Sequence, residues 1–223
     1  MHAIDKSTLD PYIKICCPCY DLQAWQESIA CACVESMKKE SLSFTFEAAV
    51  GCSSIIEEGR NALISSDKTN QMIHQTLNKK FTHWLFIDHD VGFTSGQIKQ
   101  LVGRNVDIVS GAYRPKDKPE QFVAGYCSDI GRVSDYIPAI PQGLIEIDWC
   151  GAGCLLCTRH ALEKMEYPWF WKTVHKYGNR MMTQGEDVYF CMNARNQLLT
   201  VYLDTDCILN HEANRTTVKI YKV

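Results

Sequence analysis

The stretch Trp84-Leu85-Phe86-Ile87-Asp88-His89-Asp90 is a short apolar run that ends in two acidic residues. In a strand, side chains alternate between the two faces, so Asp88 and Asp90 would share one side and His89 would lie on the other. Two carboxylates aimed at one point repel each other unless a cation lies between them. Mg²⁺ and Mn²⁺ prefer such oxygen ligands and often share them with a substrate diphosphate. The stretch therefore predicts a metal-dependent enzyme acting on a nucleotide or phosphorylated donor, with ordinary turn chemistry at a strand end as the alternative.

Strand and helix patterns alternate on both sides of this stretch. The pattern predicts strands over 12–16, 43–50, 82–87 and 106–110, and helices over 22–39, 56–66 (with an extension through 72–77 as an alternative) and 95–102. This alternation predicts an α/β fold with a mostly parallel central sheet flanked by helices. Ligands bind such sheets at the carboxyl ends of the strands, which is where Asp88, Asp90 and the loop from Pro18 to Asp21 are expected.

The second half of the chain is less regular and predicts a smaller antiparallel portion. Strands are expected over 121–126, 144–149, 154–157, 198–203 and 208–211, and helices over 158–165 and 185–196. The length of 223 residues suits one core, so we expect a single domain over 1–223.

Bulk composition is that of an ordinary globular protein, with 46% hydrophobic and 22% charged residues. No apolar run approaches the roughly 20 residues that span a bilayer, and residues 1–12 lack the apolar core of a signal peptide. We therefore expect a cytoplasmic protein without a membrane partner. The formal net charge of −3 does not by itself require nucleic acid or an acidic membrane as a partner.

The twelve cysteines are expected to be free thiols, because no secretion signal is present and most lie in apolar or periodic segments. A structural zinc site is the alternative at Cys154-x-x-Cys157, which has the spacing of zinc ligands. The sequence between them, Leu155-Leu156, favours a buried strand without the turn that would bring both thiols to one ion.

Six short motifs follow one another in a characteristic order. They are the loop around Pro18-Cys19-Tyr20-Asp21, then Arg60-Asn61, Asp88-His89-Asp90, Cys150-Gly151-Ala152-Gly153, Gly185-Glu186-Asp187 and His211-Glu212. Their order and spacing over residues 13–212 resemble the glycosyltransferases of the GT-A fold, particularly the compact family-two-like members of bacteriophages. The resemblance implies a GT-A-like (Rossmann-like) domain, with a donor-binding half over about 12–115 and an acceptor and catalytic half over about 116–212.

The resemblance also implies roles for residues around the metal and the donor. Asp90 would be the direct ligand of Mn²⁺ or Mg²⁺, Asp88 would hold the ribose or a metal-bound water, and His211 would complete the metal shell. Other residues would contact the donor: Pro18, Tyr20 and Asp21 around the nucleobase, Arg60 on the donor side, and Gly151 and Gly153 through their backbone.

The catalytic base implied by the resemblance is Asp187, with Glu186 as the less favoured choice. Each assignment has a simpler alternative. Asp187 could offset the helix dipole, His211 could be a satisfied edge histidine, Arg60 could be solvated, and the glycines could mark a bulge.

The expected activity is transfer of one sugar from a nucleoside diphosphate sugar, with UDP-sugar as the expected donor, to an acceptor hydroxyl. A metal ion would stabilise charge on the departing phosphate, and a carboxylate would remove the hydroxyl proton. Displacement in one step would invert the anomeric centre. The chain lacks the Gln-x-x-Arg-Trp motif of processive members, which favours transfer of a single sugar. The alternatives are a nucleotidyltransferase and an inactive nucleotide-sugar binding module.

The acceptor classes that such phage enzymes suggest are hydroxymethylated bases in DNA, polysaccharide and protein, with DNA modification carried out in the host cytoplasm. A DNA acceptor requires phosphate contacts, for which the candidates are Arg114, Lys116, Lys118, Arg215, Lys219 and Lys222. The aromatic residues Trp169, Phe170 and Trp171 could stack a flipped base. The alternatives are a solvated charged loop and an aromatic cluster in the core.

Overall fold

The computed structural model describes residues 10–65, 77, 80–115, 121–127, 141–177 and 179–211. Its helices are α1 (Leu22–Gln26), α2 (Ile29–Met37), α3 (Ile56–Ile64), α4 (Ser95–Gly103), α5 (Arg159–Lys164) and α6 (Glu186–Asn196). Its strands are β1 (Tyr12–Cys19), β2 (Thr45–Cys52), β3 (His83–Ile87), β4 (Val91–Gly92), β5 (Ile108–Ala112), β6 (Ala124–Gly125), β7 (Leu144–Ile147), β8 (Trp149–Cys150), β9 (Cys154–Thr158), β10 (Thr173–Tyr177), β11 (Arg180–Gln184), β12 (Val201–Ile208) and β13 (Asn210–His211). Outside the described residues lie the predicted helical extension over 72–76 and the residues Lys116, Lys118, Glu212, Arg215, Lys219 and Lys222.

Seven strands form the central sheet in the order β2-β1-β3-β9-β5-β12-β7. The strands β2, β1, β3, β5 and β12 run in one direction, whereas β9 and β7 are antiparallel to their neighbours. Three two-stranded antiparallel sheets accompany it: β10-β11, β13-β4 and β6-β8. The predicted α/β fold is confirmed as a mixed sheet flanked by helices. Among the described residues, no helix is long and apolar enough to cross a bilayer.

The apolar run 84–87 is buried on both faces of this sheet. Trp84 and Phe86 pack on the face covered by α3, α5 and α6, whereas Leu85 and Ile87 pack on the face covered by α2 and α4. All four side chains are fully buried, and burial of each stabilises the fold by about 1.5–3 kcal/mol. The run therefore fixes β3 in the middle of a three-layer structure.

The thiols of Cys154 and Cys157 lie on opposite faces of the sheet, in two different core clusters. Two ligands on opposite faces cannot reach one ion, so the zinc alternative at this pair is wrong. All twelve cysteines are free thiols, as expected.

The carboxyl ends of the parallel strands bring several polar residues to one edge of the sheet. Tyr20 follows β1, Asp88 follows β3, Tyr113 follows β5, and His211 comes shortly after β12. Because β9 is antiparallel, the residue that precedes it, Gly153, lies at the same edge. This edge is the place where a doubly wound sheet binds its ligands.

Candidate active site

The segment Asp88-His89-Asp90 forms a turn rather than the end of a strand. β3 ends at Ile87, and the backbone N–H of Val91 donates to the carbonyl of Asp88 at 3.0 Å, which turns the chain into β4. The expected period-two arrangement is therefore wrong, because β4 must leave the main sheet to pair with β13. The two carboxylates take different partners, Asp88 towards α3 and Asp90 towards β13.

Arg60 is a buried cation between two of the predicted site carboxylates. Its side chain is 3% exposed; one terminal nitrogen pairs with Glu186, and the other donates to Asp88 Oδ1 at 2.7 Å. Burial acts to lower the pKa of Arg60, but the charges of Asp88, Glu186 and Asp187 outweigh it and raise that pKa above its ordinary value. Arg60 therefore stays charged and is not the solvated helix residue that the sequence left open.

Asp187 lies in the first turn of α6, beside this cluster. Burial and, to a smaller extent, the neighbouring Glu186 raise the pKa of Asp187 to about 6, although Arg60 and the backbone N–H of Val188 act in the opposite direction. That N–H donates to Asp187 Oδ1 at 2.7 Å. A carboxyl group that changes protonation near neutral pH can accept a proton from an acceptor hydroxyl.

Asp90 and His211 form a second pair at the β4–β13 contact. His211 Nε2 lies 3.6 Å from Asp90 Oδ1, while Nδ1 lies 2.8 Å from the carbonyl oxygen of Arg114. A carbonyl can only accept, so Nδ1 is the donor, which orients the ring in the manner found for metal-binding histidines. Two ligands that each lie about 2.1 Å from one ion are at most about 4.2 Å apart. The 3.6 Å separation thus fits a shared divalent ion. The carboxylate is a ligand that suits Mn²⁺ or Mg²⁺, whereas the imidazole is a ligand more typical of Zn²⁺ and other transition metals.

The two predicted metal-binding aspartates are not equivalent. Asp88 is paired with the Arg60 guanidinium, whereas Asp90 faces the histidine. Within the described residues, no group of three or more His, Cys, Asp and Glu side chains is arranged to hold a metal ion. Of the described side chains, Asp90 and His211 would hold such an ion, and water or substrate oxygens commonly complete the shell of Mg²⁺.

Tyr113 is a central residue that the sequence analysis missed. It is 5% exposed, and its hydroxyl accepts the backbone N–H of Gly153 at 2.9 Å. Its ring meets the His211 imidazole edge-on, with centroids 5.5 Å apart. Because the Gly153 carbonyl in turn accepts the N–H of Asp88 at 3.1 Å, Tyr113 connects the two halves of the site. The only signal in the sequence was its place directly after a buried strand.

The glycines Gly151 and Gly153 leave room for Tyr113. A Cβ on Gly151 would collide with the Tyr113 hydroxyl, and a Cβ on Gly153 would lie 2.8 Å from its ring. This contact gives both positions a structural reason to be glycine. Their predicted backbone contact with donor and acceptor stays a prediction.

The predicted nucleobase loop is shorter than expected. Pro18 lies inside β1, which extends to Cys19, so the loop begins at Tyr20, whose side chain is 73% exposed. Asp21 caps α1, and its carboxylate accepts the N–H of Ala24 at 2.7 Å. The loop adjoins the acidic site, because β1 and β3 are parallel neighbours and Asp88 follows β3 at the same edge. A hydrogen bond with Cys17 lowers the pKa of the Cys19 thiol, although burial and the charges of Asp88, Asp21 and Asp90 act to raise it.

The aromatic residues 169–171 divide between core and surface. Trp169 and Phe170 are buried; Phe170 stacks on Phe190 with centroids 4.6 Å apart. Trp171 is 51% exposed. Of these three residues, only Trp171 can therefore stack on a ligand without unfolding the core.

Of the predicted phosphate-binding cations, Arg114 lies in the described part; its guanidinium stacks on Phe122 at 4.4 Å.

Comparison with known proteins gives a likeness of fold. No family model and no curated protein sequence matches this chain. Among solved structures, A197 from STIV matches with a TM-score of 0.53 and 18% identity, over 92% of this chain and 87% of that one. A 4-diphosphocytidyl-2C-methyl-D-erythritol synthase from Anaerococcus prevotii matches with a TM-score of 0.41 and 10% identity, over 94% and 96% of the two chains. The chain thus shares its α/β architecture with A197.

Proposed function

We propose that this chain is a metal-dependent glycosyltransferase of the GT-A type that moves one sugar from a nucleoside diphosphate sugar to an acceptor hydroxyl. The observation that carries the proposal is the gathering of Asp88, Asp90, Asp187 and His211 around one edge of the sheet. The Asp90–His211 pair and the Asp187 carboxyl give this edge an ion-binding part and a proton-accepting part. The likeness to A197 supports the fold alone.

The donor would bind between the Tyr20 loop and the turn at Asp88–Asp90. Asp90 and His211 would hold a Mn²⁺ or Mg²⁺ ion, which when bound supplies positive charge to the departing diphosphate. Asp88 is 29% exposed at its side chain and uses Oδ1 for Arg60, so its second oxygen would orient the ribose or a metal-bound water. This division of labour agrees with the different partners of the two aspartates.

The acceptor hydroxyl would approach Asp187, which would take its proton during attack. The partly raised pKa makes Asp187 a better match to an acceptor at neutral pH than a fully solvated aspartate would be. A single displacement by this base would invert the anomeric centre. A DNA base, a polysaccharide and a protein side chain are the acceptor classes to compare, with the exposed Trp171 as the surface for stacking.

A turnover assay tests the proposal directly. The chain is incubated with Mn²⁺, a panel of nucleotide sugars beginning with UDP-sugars, and acceptors that include hydroxymethylated DNA. Release of free nucleoside diphosphate with formation of a glycosylated acceptor is the expected result. A parallel incubation with a nucleoside triphosphate and a sugar phosphate in place of the nucleotide sugar tests the alternative, since release of pyrophosphate there would identify a nucleotidyltransferase. Binding without product in both incubations would identify an inactive module.

A further inference from the structure

The guanidinium of Arg60 joins two parts of the chain that are far apart in sequence. Its partner Asp88 is 28 residues away, and its partner Glu186 is 126 residues away. The fork of a guanidinium can hold two carboxylates at a fixed spacing, which a lysine ammonium cannot do. Arg60 therefore sets the distance between the turn after β3 and the first residue of α6.

Helix α6 needs such a connection because its start is not fixed by a cap of its own. Its N-cap residue is Gly185, which has no side chain to accept a hydrogen bond, and the first-turn N–H of Val188 is taken by Asp187 of the helix itself. Glu186 is 9% exposed and stands next to the predicted base. An anchor on Glu186 consequently also fixes Asp187.

Helix α3, which carries Arg60, is itself held firmly. A Cβ on Gly51 would lie 2.9 Å from the Gly59 carbonyl oxygen, so β2 and α3 are in backbone contact. The Asn61 side chain holds the backbone of Phe170 on both sides: its amide donates to the carbonyl at 2.7 Å, and its oxygen accepts the N–H at 3.0 Å. Arg60 thus lies on a helix whose position is fixed by its contacts with β2 and with the Phe170 backbone.

Stability alone does not explain a buried arginine here. Replacing a buried ion pair by apolar residues of similar volume is often neutral or stabilising. The Nε–H of Arg60 is also buried and has no hydrogen-bond partner within the described part of the chain, which costs free energy. The arrangement is better explained by a requirement for geometry.

We propose that Arg60 is a positioning residue that locks the start of α6 to the end of β3, so that Asp187 and Asp88 stand at a fixed spacing. Arg60 also holds the Glu186 carboxylate as its counter-ion, so that Glu186 does not act as a second base. This proposal rests on the proposed function at one point, which is that the spacing between Asp187 and Asp88 matters for sugar transfer. It differs from the expectation that Arg60 contacts the donor.

The substitution Arg60→Lys tests the proposal because it keeps the charge and removes the fork. We expect kcat for sugar transfer to fall by about 100-fold, the order of loss caused by misplacement of about 1 Å. The donor KM should rise by a smaller factor than the fall in kcat, because Arg60 acts on the donor only through Asp88 and makes no donor contact of its own. A normal kcat would overturn the proposal, and so would a raised KM at normal kcat, which would make Arg60 a donor ligand.

The matched control is Arg104→Lys. Arg104 also forms a two-pronged pair, with both contacts to the buried Asp204 at 2.7 Å, but it joins α4 to β12 outside the candidate site. We expect Arg104→Lys to reduce stability while leaving kcat and KM unchanged. Equal losses of kcat in both variants would mean that Arg60 acts only through stability and would overturn the proposal.

Amide hydrogen exchange tests the same proposal without turnover. Two probes flank the Arg60 bridge: the N–H of Tyr189, bonded to the Gly185 carbonyl at 3.0 Å, and the N–H of Asp88, bonded to Gly153. Exchange at both should become at least about tenfold faster in Arg60→Lys than in Arg104→Lys, whose exchange measures the effect of a general loss of stability. If the wild type transfers no sugar, the proposed function fails while this measurement still decides the role of Arg60. Unchanged exchange in Arg60→Lys would overturn the positioning role.

Discussion

At the scale of single residues, the protonation of Asp187 has the clearest chemical consequence. Burial and the adjacent Glu186 raise its pKa to about 6, so the carboxyl is neutral in mildly acidic solution. A base must be ionised to accept a proton. We therefore expect kcat/KM to rise with pH and to level off above about 6, as measured with saturating Mn²⁺ and varied donor. An acidic limb below pH 5 would show that a different group acts as the base.

The same pKa predicts the effect of Asp187→Asn on activity and on stability. Sugar transfer should disappear while donor binding by calorimetry stays nearly intact, because the amide cannot accept the proton.

In the wild type, the unfolded carboxyl ionises near pH 3.8 and the folded one near pH 6, so the native state binds more protons between these values. The free energy of unfolding of the wild type therefore falls as pH rises through this window.

The asparagine variant should escape this loss of stability. Each pKa unit corresponds to about 1.4 kcal/mol, so the variant should be more stable than wild type by about 2–3 kcal/mol at pH 7 and similar to it near pH 4. Urea unfolding at the two pH values measures the difference. A stability difference that does not change with pH would contradict the assigned pKa.

The contact between Gly151 and Tyr113 predicts a compensating pair of substitutions. Gly151→Ala places a Cβ against the Tyr113 hydroxyl and should cost about 1–3 kcal/mol of unfolding free energy. Adding Tyr113→Phe removes the hydroxyl and should restore part of that loss; Val123 also limits the space, so recovery is incomplete. Gly103→Ala is the control, because its Cβ would meet nothing within 4 Å. Strictly additive losses in the double variant would contradict the contact.

At the scale of elements, the sequence predicted the buried parts of the fold best. Strand β3 was recognised from its buried apolar run, and the helix from Glu186 to Asn196 was recognised from the Gly185-Glu186-Asp187 segment that opens it. The helix expected over 22–39 is two helices, since Ser28 caps α2 by accepting the N–H of Cys31 at 3.0 Å. Trp25 and Ile29 keep helical spacing across this break, which hid it. The helix expected over 95–102 is α4, which Thr94 caps at its N-terminus.

Pairings over long distances could not be predicted from local patterns. Pro18 was expected to end β1, but β1 pairs with β3 only as far as Cys16, and beyond it has β2 alone as a partner. A proline is tolerated where a strand has a free edge. The hairpin β10–β11 was missed because it exposes Val174 and Met181 and so has no buried face to produce a periodic pattern. The Arg60–Glu186 pair likewise leaves no sign in the sequence.

The backbone contact between β2 and α3 gives a prediction at this scale. Gly51→Ala would push α3 away from the sheet, because the Gly59 carbonyl and the Leu63 side chain occupy the space. We expect a loss of about 1–3 kcal/mol in unfolding free energy and reduced turnover, since α3 carries Arg60. Gly59→Ala is the matched control: its nearest contact is 3.4 Å, and alanine favours a helix. Equal destabilisation by the two substitutions would contradict this packing.

At the scale of the whole molecule, the candidate ion site joins segments that are distant in the chain. Asp90 precedes β4, and His211 ends β13, so an ion held by both would fasten the last described strand to the middle of the chain. A ligand that binds only the folded state stabilises it by RT ln(1 + [L]/Kd). The site should therefore be detectable in the melting temperature even before an acceptor is known.

We expect Mn²⁺ together with UDP to raise the melting temperature, and Asp90→Ala to abolish most of that increase because the ion loses its charged ligand. At a concentration 100 times the Kd, the stabilisation would be about 2.7 kcal/mol. His211→Ala should have the same effect, since the ring supplies the second ligand. Glu163→Ala is the control: it removes an exposed carboxylate from α5, which follows β9 at the opposite edge of the sheet. Calorimetric melting is measured in three conditions: with EDTA, with Mn²⁺ alone, and with Mn²⁺ and UDP together. The comparison separates the effect of the ion on the melting temperature from the effect of the nucleotide. If the melting temperature of Asp90→Ala rose as much as that of the wild type, the ion would bind elsewhere. The turn at Asp88–Asp90 would then not hold the metal of the proposed reaction.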